Sequence, residues 1–292
     1  MNPRYYIEGL IAVLIFGVTP IFIKEVTANA ITIGVVRLAI GIVFLYLVAG
    51  PAKIKRLKKA EWRALLWIGL LFGAHWVTYF ISVKLATPSM AILSVSSFGL
   101  HMIYLNWMIK GVKPKAMDLI VVSVAVVGIY LIVPAFDLRN NVTSGILVGL
   151  VSGLFFAILP FVQQRHQHID SMTRAFGQYA FAMLVFLIFT SETNWDLSKL
   201  DWIYLAILGI VCTVVAHTLW LRATTMLPPT NTSLIFYLGP PIAMFTSYIF
   251  LDEEMSSNKI IGASLIISAN VFGVLMRKRN NPNLSFKRKT TG

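Results

Sequence analysis

Two histidines at matching positions in the two halves of the chain are the residues best placed to do chemistry. His75 and His217 each follow an alanine, and their residue numbers differ by 142. Each lies near the middle of an apolar segment, where a neutral imidazole can hydrogen-bond a neighbouring helix or exchange a proton near neutral pH. The pair therefore predicts two alternatives: a packing role in each half, or a shared central site for a small molecule.

Other residues repeat at nearly the same spacing. Arg37 and Gln178, for example, are 141 residues apart. A duplicated unit with an odd number of membrane spans enters the bilayer in opposite directions, and this geometry gathers equivalent residues around a central site in many secondary transporters. We therefore predict two repeats, over residues 1–134 and 144–276, and a basic cytoplasmic tail over residues 277–292.

The composition is that of a protein whose solvent is lipid. The chain is 57% hydrophobic and 13% charged, whereas soluble domains are about 45–50% apolar and about 25% charged. The charges fall between apolar runs long enough to cross a bilayer as helices, the natural structure there. We predict an all-α integral membrane protein with ten transmembrane helices as two inverted five-helix repeats. The predicted spans are residues 5–24, 30–49, 63–85, 88–109, 116–133, 144–162, 172–190, 202–223, 229–251 and 259–276.

Basic residues divide unequally between the two sides of this topology. With both termini in the cytoplasm, 19 Lys and Arg residues fall inside and five outside, as the positive-inside rule requires. The formal charge of +13 is then explained by anionic lipid headgroups, and no nucleic-acid partner is expected. These features predict a multi-pass protein of the cell (inner) membrane, and the first apolar run is interpreted as helix one, not as a cleaved signal peptide.

Several segments carry a recognisable family pattern. Residues 222–230 read RATTMLPPT, residues 238–240 read LGP, and residues 250–253 read FLDE. Together they resemble the EamA-type family of the drug/metabolite transporter superfamily, and the resemblance covers nearly the whole chain. Arg37 stands where that family usually carries an arginine in helix two. The first half departs from the pattern at Phe98, which occupies the place of the usual proline in helix four.

The resemblance implies a cavity between two five-helix bundles, lined largely by helices three, four, eight and nine. It also implies alternating-access transport of small metabolites, often amino acids. The predicted function is secondary active transport, with amino-acid export favoured. Uptake or exchange of nucleotide-like metabolites is the alternative within transport. The alternative outside transport is an intramembrane enzyme that uses His75 and His217 as acid and base.

Ten residues are candidates for the site. Those expected to contact substrate are His75, Tyr79, Phe98, His101, His217, Trp220 and Tyr237. Those expected to act in gating or as structural polar groups are Arg37, Gln178 and Pro240. Arg37 lies about 12 Å deep in helix two, where it either pairs with carbonyls at helix ends or holds an anionic group of the substrate. The prolines at 240 and 241 remove backbone donors and predict a kink in helix nine.

No cofactor and no metal are expected. Cys212 is the single cysteine, and the loop histidines His166 and His168 lack acidic companions. No GxxxxGK[ST], HExxH or GxSxG motif occurs, so an enzyme is not predicted and transport would run on gradients or exchange. The expected partners are the small-molecule substrate, membrane lipids and, under the proton-exchange hypothesis, protons. The chain is expected to be a monomer or a weak homodimer. The acidic residues 252–254 are expected to lie in a solvated outer loop.

Overall fold

The computed structural model describes residues 3–111, 113–133, 137–227 and 229–280, and within these ranges every regular element is a helix. In chain order the α-helices are α1 (Arg4–Glu25), α2 (Ala30–Ala49), α3 (Pro51–Lys55), α4 (Lys59–Leu85), α5 (Pro88–Val95), α6 (Phe98–Lys110), α7 (Ala116–Ile132), α8 (Asn141–Arg165), α9 (Ser171–Leu187), α10 (Lys199–Gly209), α11 (Ala216–Met226), α12 (Pro229–Phe236), α13 (Gly239–Leu251) and α14 (Ser257–Asn280). A π-helical segment, Ile210–Val215, joins α10 to α11. The 3-10 turn Thr190–Glu192 follows α9.

Membrane-length helices dominate the described residues. Eight helical stretches there are long and apolar enough to cross a membrane. By contrast, α7 and α9 have 17 residues each, at the lower limit of the about 17–25 residues that a span needs. The all-α membrane class is therefore confirmed, and the count of ten spans stays a prediction.

Two lysines, near the ends of α1 and α4, each donate hydrogen bonds to backbone carbonyls at the end of the other helix. Lys24 Nζ donates to the carbonyls of Lys84 at 2.9 Å and Ala86 at 2.7 Å. Lys84 Nζ in turn donates to the carbonyl of Val26. The last carbonyls of a helix lack intrahelical partners and carry partial negative charge, so an ammonium group is favourable there. The two lysines thus fasten the end of α1 to the end of α4.

A stripe of glycines lets α8 approach the first half of the chain closely. Gly145, Gly149 and Gly153 recur every four residues along α8 and share one face. A Cβ atom on Gly149 would lie 2.6 Å from the Cβ of Ser94, and one on Gly145 would lie 2.6 Å from the backbone nitrogen of Ala86. Small residues at this spacing are a common basis of helix association in membranes. The stripe places α8 directly against α4 and α5.

The fourth predicted span, Pro88–Ile109, is long and apolar enough to cross a membrane, and its helix is interrupted near the middle. α5 ends at Val95 and α6 begins at Phe98. Before the break, the hydroxyl of Ser94 donates to the Met90 carbonyl at 2.7 Å and that of Ser96 to the Ile92 carbonyl at 2.8 Å. Serine hydroxyls that bond the carbonyl one turn back compete with the backbone ladder and bend helices.

The ninth predicted span is broken at the equivalent place. α12 ends at Phe236 and α13 begins at Gly239, beside the predicted proline kink. α5 and α12 have 8 residues each, and their first residues, Pro88 and Pro229, are 141 positions apart. Discontinuous helices at equivalent positions of two repeats are typical of transporter binding sites, where helix ends face a central cavity.

The predicted solvated loop at residues 252–254 is wrong for Glu253. The side chains of Glu253 and Lys259 form an ion pair and are only 7% and 5% exposed. The Glu253 carboxylate also accepts hydrogen bonds from the hydroxyls of Thr87 and Ser89 at the start of α5. Charge-assisted hydrogen bonds of this kind are what a buried carboxylate requires. The acidic loop is therefore anchored against α5 and α14.

Candidate functional site

Aromatic and histidine side chains from both halves of the chain form a closed circuit of ring contacts. Neighbouring ring centroids are 4.9–6.3 Å apart, within the range of favourable aromatic pairs. We call this set the aromatic circuit. In order around it, the members are Phe72, His75, Phe156, Phe236, Trp220, Phe16 and His217. The two repeat-related histidines thus belong to one group, and both rings contact Phe72.

His75 is held by α8. Its Nδ1 lies 2.8 Å from the Ser152 hydroxyl and 3.1 Å from the Ser152 carbonyl. The same hydroxyl donates to the His75 carbonyl at 2.9 Å. Because that bond uses the only hydroxyl hydrogen, Nδ1 carries the ring proton and donates to Ser152, which leaves Nε2 as an acceptor. His75 therefore has the packing contact that a buried polar group needs, and one nitrogen remains available.

We expect Ser152→Ala to lower the free energy of unfolding by only about 0.5–1.5 kcal/mol, because His75 keeps the Ser152 carbonyl as a partner. Chemical denaturation in mixed micelles would measure the change. Ser264→Ala is the matched control, since the exposed Ser264 hydroxyl bonds only its own helix. A loss several times larger than this range would show that the Ser152 hydroxyl has a greater part in joining α4 to α8.

His217 differs from its repeat equivalent. Its ring lies 4.9 Å from Phe16, 5.7 Å from Trp76 and 5.9 Å from Tyr179. Within the part of the chain that the structure describes, the ring makes these aromatic contacts and no hydrogen bond. The side chain is partly exposed. His217 is therefore the polar group with the most unused hydrogen-bonding capacity in the aromatic circuit.

Six of the seven predicted substrate contacts lie in or directly against the aromatic circuit. The Tyr79 ring is stacked 6.1 Å from His75, and the Phe98 ring contacts Phe156 at 5.3 Å and Tyr237 at 5.3 Å. The six are His75, Tyr79, Phe98, His217, Trp220 and Tyr237. Their contact with substrate stays a prediction.

The seventh predicted contact, His101, joins two helices. Gln178, the repeat equivalent of Arg37, does the same. His101 Nε2 lies 3.3 Å from the Ser97 hydroxyl and 3.2 Å from the Leu150 carbonyl, which ties α6 to α8. Gln178 accepts a hydrogen bond from Gln163 at 2.9 Å, which ties α9 to α8. Both side chains use their polar atoms between helices, as polar groups in membrane bundles often do.

The break between α12 and α13 is braced by α14. The Tyr237 hydroxyl donates to Asn270 Oδ1 at 3.1 Å, and Pro240 is buried in the first turn of α13. A Cβ atom on Gly99 would lie 2.0 Å from Asn270 Oδ1 and 2.7 Å from the Tyr237 hydroxyl. Only glycine fits there, so α6 and α14 meet directly beside the break.

Arg37 is buried against Trp76, whose ring also contacts the aromatic circuit. It is 2% exposed, and its Nε donates to the Thr213 hydroxyl at 2.9 Å. Its guanidinium carbon lies 4.5 Å from the Trp76 ring centroid and 5.1 Å from that of Phe80. The observed hydrogen-bond partner is therefore a hydroxyl of the π-helical segment.

Sequence reasoning left several members of the site out of its candidates. These are Phe16, Phe72, Phe156, Ser152, Thr213 and Tyr179. The glycine stripe of α8 was the one usable signal, because Ser152 lies between two of its members on a helix that must pack closely. The aromatic residues carry no such signal, since aromatic side chains are also common where helices meet lipid headgroups.

Comparisons with known proteins agree with the fold. The EamA-like transporter family matches residues 4–133 and 143–275. A protein of Archaeoglobus fulgidus named as an uncharacterized transporter is 20% identical over 274 residues, covering 92% of this chain and 94% of its own. The threonine/homoserine exporter RhtA of Salmonella typhimurium is 23% identical over 249 residues, covering 83% of this chain and 81% of its own.

A solved crystal structure has the same fold. It superposes with a TM-score of 0.66 at 18% sequence identity and covers 96% of this chain and 100% of its own. At this identity the likeness concerns the fold alone. The family match extends over nearly the whole chain, in two segments separated by a short gap. This chain therefore belongs to the EamA-like transporter family, and it is a multi-pass membrane protein.

Proposed function

We propose that this transporter exports amino acids by secondary active transport with alternating access. The observation that carries the proposal is the aromatic circuit, which is built by helices of both halves and includes the partly exposed ring of His217. It lies beside the two equivalent helix breaks, through Phe98 and Phe236. One relative is named as a threonine/homoserine exporter, which supports the substrate class.

The circuit has chemistry suited to an amino acid. Aromatic faces attract an ammonium group, and ring nitrogens of His75 and His217 offer hydrogen bonds. The apolar surfaces of the aromatic rings accommodate a hydrocarbon side chain. Because both halves contribute, a rocking motion of one half against the other would open the site to one side and then to the other.

We also propose cytoplasmic termini in an inner membrane. The unequal division of basic residues, 19 against five, supports this orientation. The end that carries Lys24, Lys84 and the Glu253–Lys259 pair would then face away from the cytoplasm. At that end these charged side chains are engaged with carbonyls or with each other.

The test is counterflow of a labelled amino-acid panel, including threonine and homoserine, into proteoliposomes of the purified protein. We expect label to accumulate above protein-free vesicles for at least one amino acid. His217→Phe should lower its counterflow about ten-fold to a hundred-fold, because the variant keeps an aromatic ring but loses hydrogen bonds to a charged ligand worth about 1.5–3 kcal/mol. Tyr248→Phe, at a position 58% exposed, is the control and should match wild type.

The outcomes separate the substrate class from the site. No counterflow of any amino acid would reject amino acids as substrates. Normal counterflow in His217→Phe would keep the substrate class and reject the role of His217. Export itself is tested in cells loaded with the amino acid as a dipeptide, where expression of the protein should speed release of the free amino acid.

Neither alternative function gains a specific observation. A carrier of nucleotide-like metabolites needs several inward-facing cations to balance the charges of its substrate, but Lys84 is engaged at a helix end and Arg37 supplies a single positive charge. An acid–base enzyme needs a carboxylate or nucleophile beside its histidines. Within the described residues, the hydrogen bonds of His75 go to Ser152, and His217 contacts aromatic rings.

A further inference from the structure

We propose that Arg37 and Tyr179 form a buried subsite for a small monovalent anion. The anion is either the carboxylate of the transported molecule, an assignment that rests on the proposed function, or a free ion such as chloride. The two sources share one chemistry: a single negative charge with acceptor capacity for a guanidinium N–H and a phenol O–H. The sequence alone left Arg37 between a structural role and an anion-binding role, and the surroundings of the side chain favour the second.

Among the residues that the structure describes, Arg37 is a buried cation without a counter-ion. Its side chain is 2% exposed, and Nε is paired with the Thr213 hydroxyl. Nη1 is also buried, yet it has no hydrogen-bond partner in the described part of the chain. Within the described ranges, none of the ion pairs formed by Asp or Glu includes Arg37. An arginine is charged at any physiological pH, so the site requires a negative group from outside these residues.

Tyr179 supplies a second unused donor beside the same ring. Its hydroxyl is buried and has no hydrogen-bond partner among the described residues, and the residue is 2% exposed. The Tyr179 ring lies 5.6 Å from the Trp76 ring, which also contacts the guanidinium at 4.5 Å. The Tyr179 ring and Thr213, the hydrogen-bond partner of Arg37, both lie against Gly41 of α2. Two buried donors that lack an acceptor, close to one positive charge, form the donor set of an anion site.

The scaffold around these donors is fixed by close contacts. The Thr213 hydroxyl accepts from Arg37 and donates to the Leu208 carbonyl, five residues back, at 2.7 Å. It therefore ties the arginine to the π-helical segment, a type of element often found at functional sites. A Cβ atom on Gly41 would lie 2.6 Å from the Tyr179 ring and 3.3 Å from Thr213 Cγ2. Glycine at this position allows α2 to bring Arg37 between α9 and the π-helical segment.

The subsite adjoins the aromatic circuit. The rings of Trp76 and Tyr179 both contact His217, at 5.7 Å and 5.9 Å. Trp76 therefore contacts both the Arg37 guanidinium and the His217 ring. An amino acid whose ammonium group lies against the aromatic circuit would then direct its carboxylate toward Arg37.

Cation–π contact alone does not account for the geometry. Trp76 and Phe80 offset part of the guanidinium charge, but a ring face gives no acceptor in line with Nη1. It also leaves the Tyr179 hydroxyl unpaired. A purely structural arginine would make the protein indifferent to anions, which is the difference that the experiment measures.

The experiment measures ligand-induced shifts of the melting midpoint of the full-length protein in nanodiscs. One arm titrates chloride against sulfate at constant ionic strength. The other, without chloride, compares the amino acid that gives the largest counterflow with its carboxamide, which lacks the negative charge. The variants are Tyr179→Phe, which keeps the ring, and Arg37→Gln. Tyr46→Phe is the matched control, because it makes the same tyrosine-to-phenylalanine change at a residue of α2 that is 37% exposed.

We expect Tyr179→Phe to weaken binding of the anion about ten-fold and to leave binding of the carboxamide unchanged. We expect Arg37→Gln to abolish anion binding. A chloride response that Tyr179→Phe suppresses identifies a free anion, and a response confined to the amino acid identifies the substrate carboxylate. If Arg37→Gln does not fold, the result for Tyr179→Phe decides.

The outcomes also separate the subsite from the proposed function. Amino-acid counterflow by the wild type, without any anion response that depends on Tyr179, overturns the subsite and leaves the proposed function standing. Chloride binding lost in Tyr179→Phe, with no amino-acid counterflow, supports the subsite and rejects the substrate class. If neither counterflow nor a Tyr179-dependent chloride response is seen, both proposals fail.

Discussion

Lys259→Met is expected to destabilise the fold by about 3–5 kcal/mol, because it leaves a buried carboxylate without its counter-ion. Lys259 and Glu253 are 5% and 7% exposed in their side chains. Lys259 Nζ also donates to the Glu254 carbonyl at 2.8 Å. The remaining hydrogen-bond partners of the carboxylate, the hydroxyls of Thr87 and Ser89 and the Ser89 backbone N–H, are neutral. They cannot replace the positive charge.

A double-mutant cycle tests whether the charge pair is the cause. Glu253→Gln removes the negative charge with little change in shape, so the double variant Glu253→Gln/Lys259→Met should recover at least half of the loss. Chemical denaturation in mixed micelles gives the free energies. Lys199→Met is the matched control, because Lys199 is an exposed lysine in the first turn of α10. Losses that simply add in the double variant would contradict the coupling and assign the effect to packing.

The helices were predictable from the sequence because lipid imposes a strong rule on the backbone. A chain in hydrocarbon must satisfy its own N–H and C=O groups, so each long apolar run becomes a helix. The interruptions were harder to predict. The π-helical segment depends on Thr213, whose hydroxyl is held by Arg37 from a different helix, 176 residues away in the chain. Nothing near Thr213 in the sequence indicates that contact.

The candidate site was predictable only in part, for a related reason. The repeat spacing identified His75 and His217 as a pair, but equal positions in two repeats do not give equal neighbours. α8 places Ser152 against His75, while His217 is surrounded by aromatic rings. Glu253 shows the same limit, since three acidic residues in a row are typical of a solvated loop. The partner that buries its carboxylate, Thr87, is 166 residues distant.

Gly149→Ala is expected to destabilise the protein by about 1–3 kcal/mol, the usual cost of overpacking a tight interface. The added Cβ atom would lie 2.6 Å from the Cβ of Ser94 and 2.8 Å from the Ser82 hydroxyl. Both neighbours are fully buried, so α8 has to move away from α4 and α5. Gly149→Leu, with a side chain several times larger, should leave little folded protein.

The matched control for Gly149 has the opposite expected sign. Gly273 lies within α14, and a Cβ atom there would be 3.4 Å from the nearest atom, Val121 Cγ1. Gly273→Ala should therefore be neutral or stabilising by up to about 1 kcal/mol, because alanine loses less conformational freedom in a helix than glycine. Denaturation curves of the two variants measure this difference in sign. Equal stability of both variants would contradict the close approach of α8.

Counterflow measurements would test whether the packing of α8 sets the geometry of the aromatic circuit. Ser152 and Phe156 follow Gly149 on α8 by three and seven residues, and both contact His75. A shift of α8 therefore changes the position of half the surroundings of His75. We expect the folded fraction of Gly149→Ala to transport more slowly than Gly273→Ala at equal protein content. Unchanged counterflow in a destabilised Gly149→Ala would show that the α8 interface supports the fold without setting the geometry of the site.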